Sequence, residues 1–182
     1  GLFGWTFRDF GVGRDGSYTV IYNRETPIGG IVDARQFNAG INVSQWIPVL
    51  SVADVDAAVA TTLAAGGRTF ADPVDIEGRG RMAVIGDPQG AVMSLLRSAS
   101  GDPRYDNLSI GGFVWNEIWT DKIPGALDFY SRVAGYNRAQ ASIRDGETYH
   151  YLSQATVPVA GVLQNPIPDL RTSWVSYIGV RD

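Results

Sequence analysis

Residues 135–162 read GYNRAQASIRDGETYHYLSQATVPVAGV, and this stretch is a second version of residues 4–31, GWTFRDFGVGRDGSYTVIYNRETPIGGI. A shorter match follows, because WIPVLSVAD at 46–54 returns as WVSYIGVRD at 174–182. The two longer stretches align without a gap and share residues at equivalent positions: Gly4 and Gly135, Tyr18 and Tyr149, Pro27 and Pro158, Gly30 and Gly161. Self-similarity at a nearly constant spacing indicates a tandem architecture.

Composition limits the classes of function. The chain has 182 residues, of which 45% are hydrophobic, and a chain of this length can bury roughly 70% of its unfolded surface. No apolar run approaches the roughly 20 residues of a membrane span. The formal charge of −4 comes with scattered Lys and Arg, which disfavours a nucleic-acid partner. Cysteine is absent, so disulfides and thiolate metal sites are excluded. The compartment stays open: the cytoplasm is the default, and an exported form requires an N-terminal leader upstream of Gly1.

The block at 45–98 has the order βαβββ. Its first strand is WIPVLSV at 46–52, and Asp54 is placed to cap a helix. Val55, Val59 and Leu63 fall on one face of that helix. The rest of the block is predicted as a short strand and a proline-broken loop at 68–74, then strands at 81–87 and 91–98.

The block at 113–172 repeats this order, with a strand at 113–120, a helix from about Asp121 to Gly135 and three further strands. The polar segment 99–112 is predicted to be a linker. By the repeat offset, 1–44 holds the last three strands of an incomplete block and 173–182 the first strand of another. We expect this terminal strand to complete the N-terminal remnant or to pair with another chain, which would make a homodimer through sheet edges. The alternative is that the sequence is part of a longer chain.

Three motifs carry a resemblance to a known family. They are DPQG at 87–90 before a last strand, VWNEIWT at 114–120 and GALDFYSRVAGY at 125–136. The chain resembles the glyoxalase / bleomycin-resistance / extradiol-dioxygenase superfamily, also called vicinal oxygen chelate proteins, and in particular its tandem glyoxalase-like members. The resemblance implies an α+β fold of tandem βαβββ units whose curved mixed sheets pair into a cup.

The resemblance also implies positions for a divalent metal, held in family enzymes by His, Gln or Glu side chains of the first and last strands. Here the first-strand positions fall on Ile47, Trp115 and Val175, and a last-strand position falls on Ser94. None is a first-choice metal ligand. We therefore expect no metal and no other cofactor, and a divalent metal at an unrecognised site is the open alternative.

Glu117 is the sharpest candidate for a catalytic residue. Strand alternation places it on the same face as Trp115 and Trp119. If that face lines the cup, the carboxylate would act as a general base or hold a cationic ligand. The structural alternative is that this face points to solvent or that Glu117 pairs with an arginine.

His150, Ser94 and Ile47 are weaker candidates for ligand binding. His150 is the only histidine, so it could serve as one acid–base or ligand group but not as a set of metal ligands. The structural alternative is a surface or hydrogen-bonded strand histidine. Ser94 and Ile47 enter only because the family's site positions fall on them.

These observations favour a small-molecule binding protein that holds a planar organic ligand in an aromatic-lined cup without a metal. One alternative is a glyoxalase-like lyase, isomerase or dioxygenase that uses a divalent metal or Glu117 as base. Another is a non-catalytic surface or interaction protein.

Overall fold

The computed structural model of the chain describes residues 2–10, 18–36, 44–102 and 110–181. Within them the fold is α+β with curved mixed sheets, which confirms the predicted class. Neither helix in this described part is long and apolar enough to cross a membrane. The strands are β1 Thr6–Phe10, β2 Tyr18–Asn23, β3 Thr26–Ile31, β4 Val49–Ser51, β5 Arg68–Ile76, β6 Gly80–Gly86, β7 Val92–Ser98, β8 Phe113–Thr120, β9 Asn137–Ser142, β10 Thr148–Gln154, β11 Val157–Gln164 and β12 Ser173–Ile178, and the helices are α1 Val55–Ala64 and α2 Ile123–Ala134.

Contacts divide the chain into two compact units. Unit 1 combines 1–45 with 104–114 and 177–182, and unit 2 combines 46–103 with 115–176. Both complete βαβββ blocks thus fall largely in unit 2. The block boundaries deduced from the repeat stay a prediction, and half of the predicted linker, residues 103–109, lies outside the described residues.

Unit 1 contains the antiparallel sheet β1-β2-β3. Two side chains attach this sheet to the last part of the predicted linker. The Trp5 indole Nε1 donates to the Gly111 carbonyl at 2.7 Å, and the Asn23 amide donates to the Ile110 carbonyl at 2.9 Å. Since buried backbone carbonyls need partners, these bonds hold the loop against the sheet.

The sheet of unit 1 and the meander β9-β10-β11 of unit 2 have the same register. In both, the pairing of the second strand with the third shifts at the equivalent place, between Ile21 and Tyr22 and between Leu152 and Ser153. Three Cα pairs of unit 1 have a direct equivalent in unit 2. Phe10–Tyr18 corresponds to Ala141–Tyr149, Val20–Gly30 to Tyr151–Gly161, and Tyr22–Pro27 to Ser153–Pro158. The match in sequence at a fixed offset therefore extends to backbone pairing.

Unit 2 has two sheets, each with its own helix. The four-stranded sheet has the order β4-β7-β6-β5, and the five-stranded sheet has the order β12-β8-β11-β10-β9. In each block the strand before the helix pairs in parallel with the last strand, β4 with β7 and β8 with β11. A parallel pair needs a crossover connection, which the helix provides.

Helix α1 begins as predicted, because the Asp54 carboxylate accepts a hydrogen bond from the Ala57 amide at 3.0 Å. The predicted buried face was wrong at one position, since Leu63 is 54% exposed. The face that packs inward instead contains Val55, Ala58, Val59 and Thr62. The small Ala58 and Thr62 let the helix approach its neighbours closely, and this shifts the buried stripe away from Leu63.

Strand β5 corrects another prediction. It runs without interruption through Pro73, where a proline-broken loop was predicted. β5 is the edge strand of its sheet, and its pairing with β6 is irregular between Ala71 and Val74. A proline on an edge strand removes no hydrogen bond that the sheet needs.

The C-terminal strand is also placed differently from the prediction. β12 lies beside β8 in the five-stranded sheet and does not complete the sheet of unit 1. The Ser176 hydroxyl donates to the Asn116 side-chain oxygen at 2.7 Å, and Trp174 is buried. The reason is that β8 would otherwise be an unpaired edge, and β12 satisfies its backbone groups. A homodimer through the remaining sheet edges stays a prediction.

A single hydrophobic core joins the two blocks of unit 2, and α1 and α2 pack together within it. The core also contains a polar group of three side chains. The Tyr130 hydroxyl donates to the Asp87 carboxylate at 3.1 Å and accepts from the Trp174 indole Nε1 at 3.1 Å. Asp87 accepts further bonds from the Gln89 and Ala91 amides, so the DPQG turn and α2 are attached to one carboxylate.

Burial of Asp87 makes stability depend on pH. Burial raises the pKa of this carboxyl above its ordinary value of 3.8, although its hydrogen bonds with Ala91 and Gln89 oppose that shift. The folded protein therefore binds more protons than the unfolded chain between the two pKa values. The contribution of Asp87 to the free energy of unfolding is therefore largest below pH 3.8. It falls as the pH rises from 3.8 to the pKa of the folded state and is constant above that pKa.

Replacing Asp87→Asn should abolish this contribution, since the Asn oxygen can still accept from the turn amides but has no charge. We expect the unfolding free energy of the wild type, relative to that of the variant, to fall as the pH rises. Urea unfolding from pH 4 to 7 measures this difference. The exposed Asp145→Asn variant is the control. A difference between wild type and Asp87→Asn that does not change with pH would contradict the assignment.

Candidate functional site

The candidate site lies on the open face of the five-stranded sheet, the face that α2 does not cover. On β8, Ile118 and Thr120 are fully buried on the helix side. Alternation therefore places Trp115, Glu117 and Trp119 together on the other side, as predicted from the sequence. Because the two blocks meet through their helices, this open face is not covered by the four-stranded sheet.

Two tyrosines of β10 share this face. Tyr151 pairs with Gly161 of β11, and Gly161 pairs in turn with Glu117 of β8. Tyr149 lies two residues from Tyr151, and their rings stack with centroids 6.4 Å apart. We call the five side chains Trp115, Glu117, Trp119, Tyr149 and Tyr151 the aromatic face.

Tyr149 reaches Glu117 across an intervening strand. β11 lies between β8 and β10, and a Cβ at Gly161 would lie 2.1 Å from the Tyr149 hydroxyl and 2.8 Å from Glu117 Cγ. No side chain fits in that space. Glycine at 161 is therefore what permits the contact between the tyrosine and the carboxylate.

Glu117 is held by neutral donors of the aromatic face. The Tyr149 hydroxyl donates to Glu117 Oε1 at 2.6 Å and accepts from the Trp115 indole Nε1 at 2.9 Å. The Trp119 indole Nε1 makes a longer contact, 3.4 Å, with Glu117 Oε2. Glu117 is only 7% exposed, so its carboxylate is fixed in position rather than free to rotate in solvent.

His150 is not part of the aromatic face. It lies between Tyr149 and Tyr151 on β10, so its side chain points to the opposite side, with Leu152. Leu152 is fully buried in the core beneath α2. The structure therefore does not bring His150 to Glu117, and a role for it in ligand binding stays a prediction.

Ser94 and Ile47 belong to the other block. Ser94 is buried on β7, on the face of the four-stranded sheet that α1 leaves open, and its amide donates to the Pro48 carbonyl at 3.0 Å. Ile47 is half-buried just before β4. The helix layer separates both from the aromatic face, so the predicted site residues form no single cluster.

Comparison with known proteins places the chain in a family. A protein of Mycobacterium bovis and one of Mycobacterium tuberculosis, each named "Putative glyoxylase CFP32", are 30% identical to it over 182 residues, which cover the whole chain and 70% of the relative. "Anthracycline biosynthesis protein DnrV" of Streptomyces peucetius is 28% identical over 194 residues, with the same coverage. No family model matches. The chain belongs to the glyoxalase-like superfamily. The resemblance deduced from its motifs is confirmed.

At the strand positions that the structure describes, this glyoxalase-like chain does not carry the metal ligands of family enzymes. In one block, Ser94 of β7 pairs with Val49, which precedes the buried Leu50. In the other block, Gly161 of β11 pairs with Glu117, which precedes the buried Ile118. Ser94 and Gly161 are therefore equivalent positions. A last-strand ligand position thus holds a serine in one block and a glycine in the next. The described residues contain no group of three or more His, Cys, Asp or Glu side chains that could hold a metal ion.

Sequence reasoning missed Tyr149 and Gly161 as site residues, although both were in the repeat alignment. Their counterparts Tyr18 and Gly30 have the same geometry in unit 1, where a Cβ at Gly30 would lie 2.1 Å from the Tyr18 hydroxyl. The repeated spacing of tyrosine and glycine was the signal. The contact of a tyrosine hydroxyl with a glycine is therefore part of the scaffold that both copies share. The hydrogen bond from this tyrosine to Glu117 occurs in unit 2.

A small cavity elsewhere does not match the predicted ligand. It has a volume of about 170 Å³ and is lined by residues around the DPQG turn: Gly66, Arg68, Asp87, Pro88, Gln89 and Gly90. Pockets for organic ligands are usually about 300–1,000 Å³ and mostly apolar. This cavity is too small and too polar for a planar organic molecule.

Gly161→Ala should disrupt the aromatic face without removing any of its side chains. The new Cβ would displace the Tyr149 hydroxyl, so we expect a loss of about 1–3 kcal/mol in the free energy of unfolding from the forced rearrangement. The indole Hε1 resonance of Trp115 should also shift, since its acceptor moves. Chemical denaturation and proton NMR measure the two effects.

Gly125→Ala is the matched control, because a Cβ there meets only ordinary contacts, the nearest being the Gln89 side-chain nitrogen at 3.7 Å. Alanine also favours the helical conformation at this position in α2. An unchanged Trp115 resonance in Gly161→Ala would show that Tyr149 does not cross over Gly161.

Proposed function

We propose that this chain binds a planar organic molecule on the aromatic face and needs no metal ion to do so. The observation that carries the proposal is the arrangement of two indoles and two phenols around one buried carboxylate on the open side of a sheet. Such a surface combines a large apolar contact area with a single polar group that can orient a ligand.

Aromatic stacking supplies enough free energy for this task. A planar ring that stacks on a protein aromatic side chain gains about 1–3 kcal/mol. Two such contacts, with Trp115 and Trp119 for example, would account for micromolar binding together with the hydrophobic gain. The hydrogen bonds from Tyr149 and Trp115 fix the side chains beforehand, so less conformational entropy is lost when the ligand binds.

The donor set supports metal independence. Indole rings cannot ligate a divalent cation, and Glu117 is the only carboxylate of the aromatic face. Stacking on aromatic rings needs no ion. Stoichiometric Fe, Mn, Ni or Zn in protein purified without chelator would contradict this part of the proposal.

The name of one relative supports a ligand of this kind. That relative is named for anthracycline biosynthesis. Anthracyclines contain a fused, largely planar ring system. A second candidate function, a glyoxalase-like lyase, isomerase or dioxygenase reaction with Glu117 as base, is favoured by the relatives named glyoxylase and by the hydrogen bond between Tyr149 and Glu117. Chemical conversion of a bound ligand that disappears in Glu117→Gln would favour this reaction over binding alone.

Trp119→Leu tests the binding proposal. Removing one stacking ring should weaken binding of 2-naphthol or acridine by about 1–3 kcal/mol, which is roughly 5- to 150-fold in the dissociation constant. Isothermal titration calorimetry measures this without relying on the fluorescence of the replaced tryptophan.

Trp46→Leu is the control, since Trp46 is 46% exposed and precedes the four-stranded sheet. It should bind the probes as the wild type does. If neither probe gives a saturable signal with the wild type, or if Trp119→Leu and Trp46→Leu have the same effect, the proposal fails.

A further inference from the structure

We propose that the cavity at the DPQG turn binds a small oxyanion, such as inorganic phosphate or the carboxylate of a small organic acid, between the Arg68 guanidinium and the side-chain amide of Gln89. This site is separate from the aromatic face, and the inference does not depend on the proposed function. The size of the cavity, the donors that line it and the glycines that leave room for them each support it.

The cavity has the size and the lining of a site for a small polar group. Its volume is about 170 Å³, and its walls are Gly66, Arg68 and the four residues of the DPQG turn, 87–90. One water molecule takes up about 30 Å³ in the liquid, so the space accepts a small oxyanion together with some water. Arg68 is the cationic side chain of this lining.

Arg68 supplies the positive charge of the cavity. It begins β5, pairs with Gly86 of β6 and holds its guanidinium 5.0 Å from the centroid of the Phe70 ring. Among the residues that the structure describes, none forms an ion pair or a hydrogen bond with this guanidinium. A guanidinium presents its N–H donors in a planar fork that matches carboxylate and phosphate groups. These donors are therefore available to an anion.

Two glycines leave the room in which Arg68 lies. A Cβ at Gly86 would lie 2.7 Å from Phe70 Cε2 and 3.5 Å from Arg68 Nε, and a Cβ at Gly90 would lie 3.6 Å from Arg68 Nη2. Gly90 also has a φ of +100°, a conformation that glycine adopts without strain. The Phe70 ring and the two glycines together place the guanidinium beside the DPQG turn.

Gln89 supplies a second, uncharged donor. Its side-chain oxygen accepts a hydrogen bond from the Thr120 hydroxyl, and this bond orients the amide group. The amide nitrogen Nε2 has no acceptor within the described part of the chain. A half-buried amide gains free energy when its N–H groups find a partner. An oxyanion in the cavity would provide that partner for Gln89 and Arg68 at the same time.

The Asp87 carboxylate lines the cavity but already has donors of its own. Its Oδ1 accepts from the Gln89 and Ala91 amides, and its Oδ2 accepts from the Tyr130 hydroxyl. Asp87 is only 2% exposed, so these bonds hold its charge inside the protein. The whole chain has a formal charge of −4 and does not attract anions in general. Saturable binding of an anion would therefore come from the local donors.

Phosphate, sulfate and acetate test the site, with chloride as the reference salt at constant ionic strength. Each oxyanion should bind the wild type with a dissociation constant on the order of 1 mM, the affinity expected for a few hydrogen bonds of which some are charge-assisted. The NMR resonances of Arg68 Nε–H and of the Gln89 side-chain amide should shift saturably. The ratio of the phosphate and acetate affinities distinguishes a phosphate from a carboxylate ligand. If no oxyanion shifts either resonance, the inference is overturned.

Two variants assign the binding to the cavity. Arg68→Gln removes the charge and should weaken binding about tenfold or more, because charge-assisted hydrogen bonds are roughly twice as strong as neutral ones. Gln89→Glu should weaken it as well, since the new carboxylate still accepts from Thr120 but has no N–H donors and repels the anion. An unchanged unfolding midpoint checks that each variant folds.

Arg97→Gln is the matched control. Arg97 is exposed near the opposite end of the same sheet, and its replacement changes the net charge by the same amount as Arg68→Gln. It should keep the wild-type affinity. If Arg97→Gln weakens binding as much as Arg68→Gln does, or if both cavity variants bind as the wild type does, the inference is rejected. Binding of planar probes to the aromatic face is measured separately, so neither result bears on the proposed function.

Discussion

The packing of α1 against α2 decides what the rest of unit 2 can do. Each helix covers one face of its own sheet, and because the two blocks meet through their helices, the other face of each sheet points away from the opposite block. The Asp87 carboxylate is buried at this junction and holds the DPQG turn of one block to Tyr130 of the other. A buried carboxylate is stable only when its hydrogen bonds are satisfied, so the turn and the helix are fixed together. The position of Glu117 on the face away from α2 follows from this packing.

The repeated meander provides a scaffold, and single substitutions give each copy its own surface. Both copies keep a tyrosine hydroxyl over a glycine, at Tyr18 and Gly30 and at Tyr149 and Gly161, because any side chain at the glycine would collide with the ring. Beyond that contact the copies differ. Unit 1 adds Arg8 over Tyr22, whereas unit 2 adds the bond between Tyr149 and Glu117. A duplicated fold can in this way carry two different surfaces on the same strand pairing.

The candidate site was partly predictable. Alternation along β8 was enough to place Glu117 between Trp115 and Trp119, since successive side chains of a strand point to opposite faces. The same rule excludes His150 from that face, but only once β10 is known to lie two strands from β8 in the same sheet. Tyr149 could not be assigned to Glu117 from the sequence, because the two are neighbours only through the order β8-β11-β10. That order depends on the parallel crossover and not on any local pattern.

The sequence by itself determined the repeat, the βαβββ order, the Asp54 cap and the family, because these depend on residue spacing and on the local chemistry of turns and caps. Tertiary structure alone decided that Leu63 is exposed, that β5 continues through Pro73 at a sheet edge and that β12 joins β8. Each of these outcomes depends on which neighbour a helix face or strand edge meets. Burial and backbone pairing are satisfied between distant segments, so the sequence of one segment does not specify its partner.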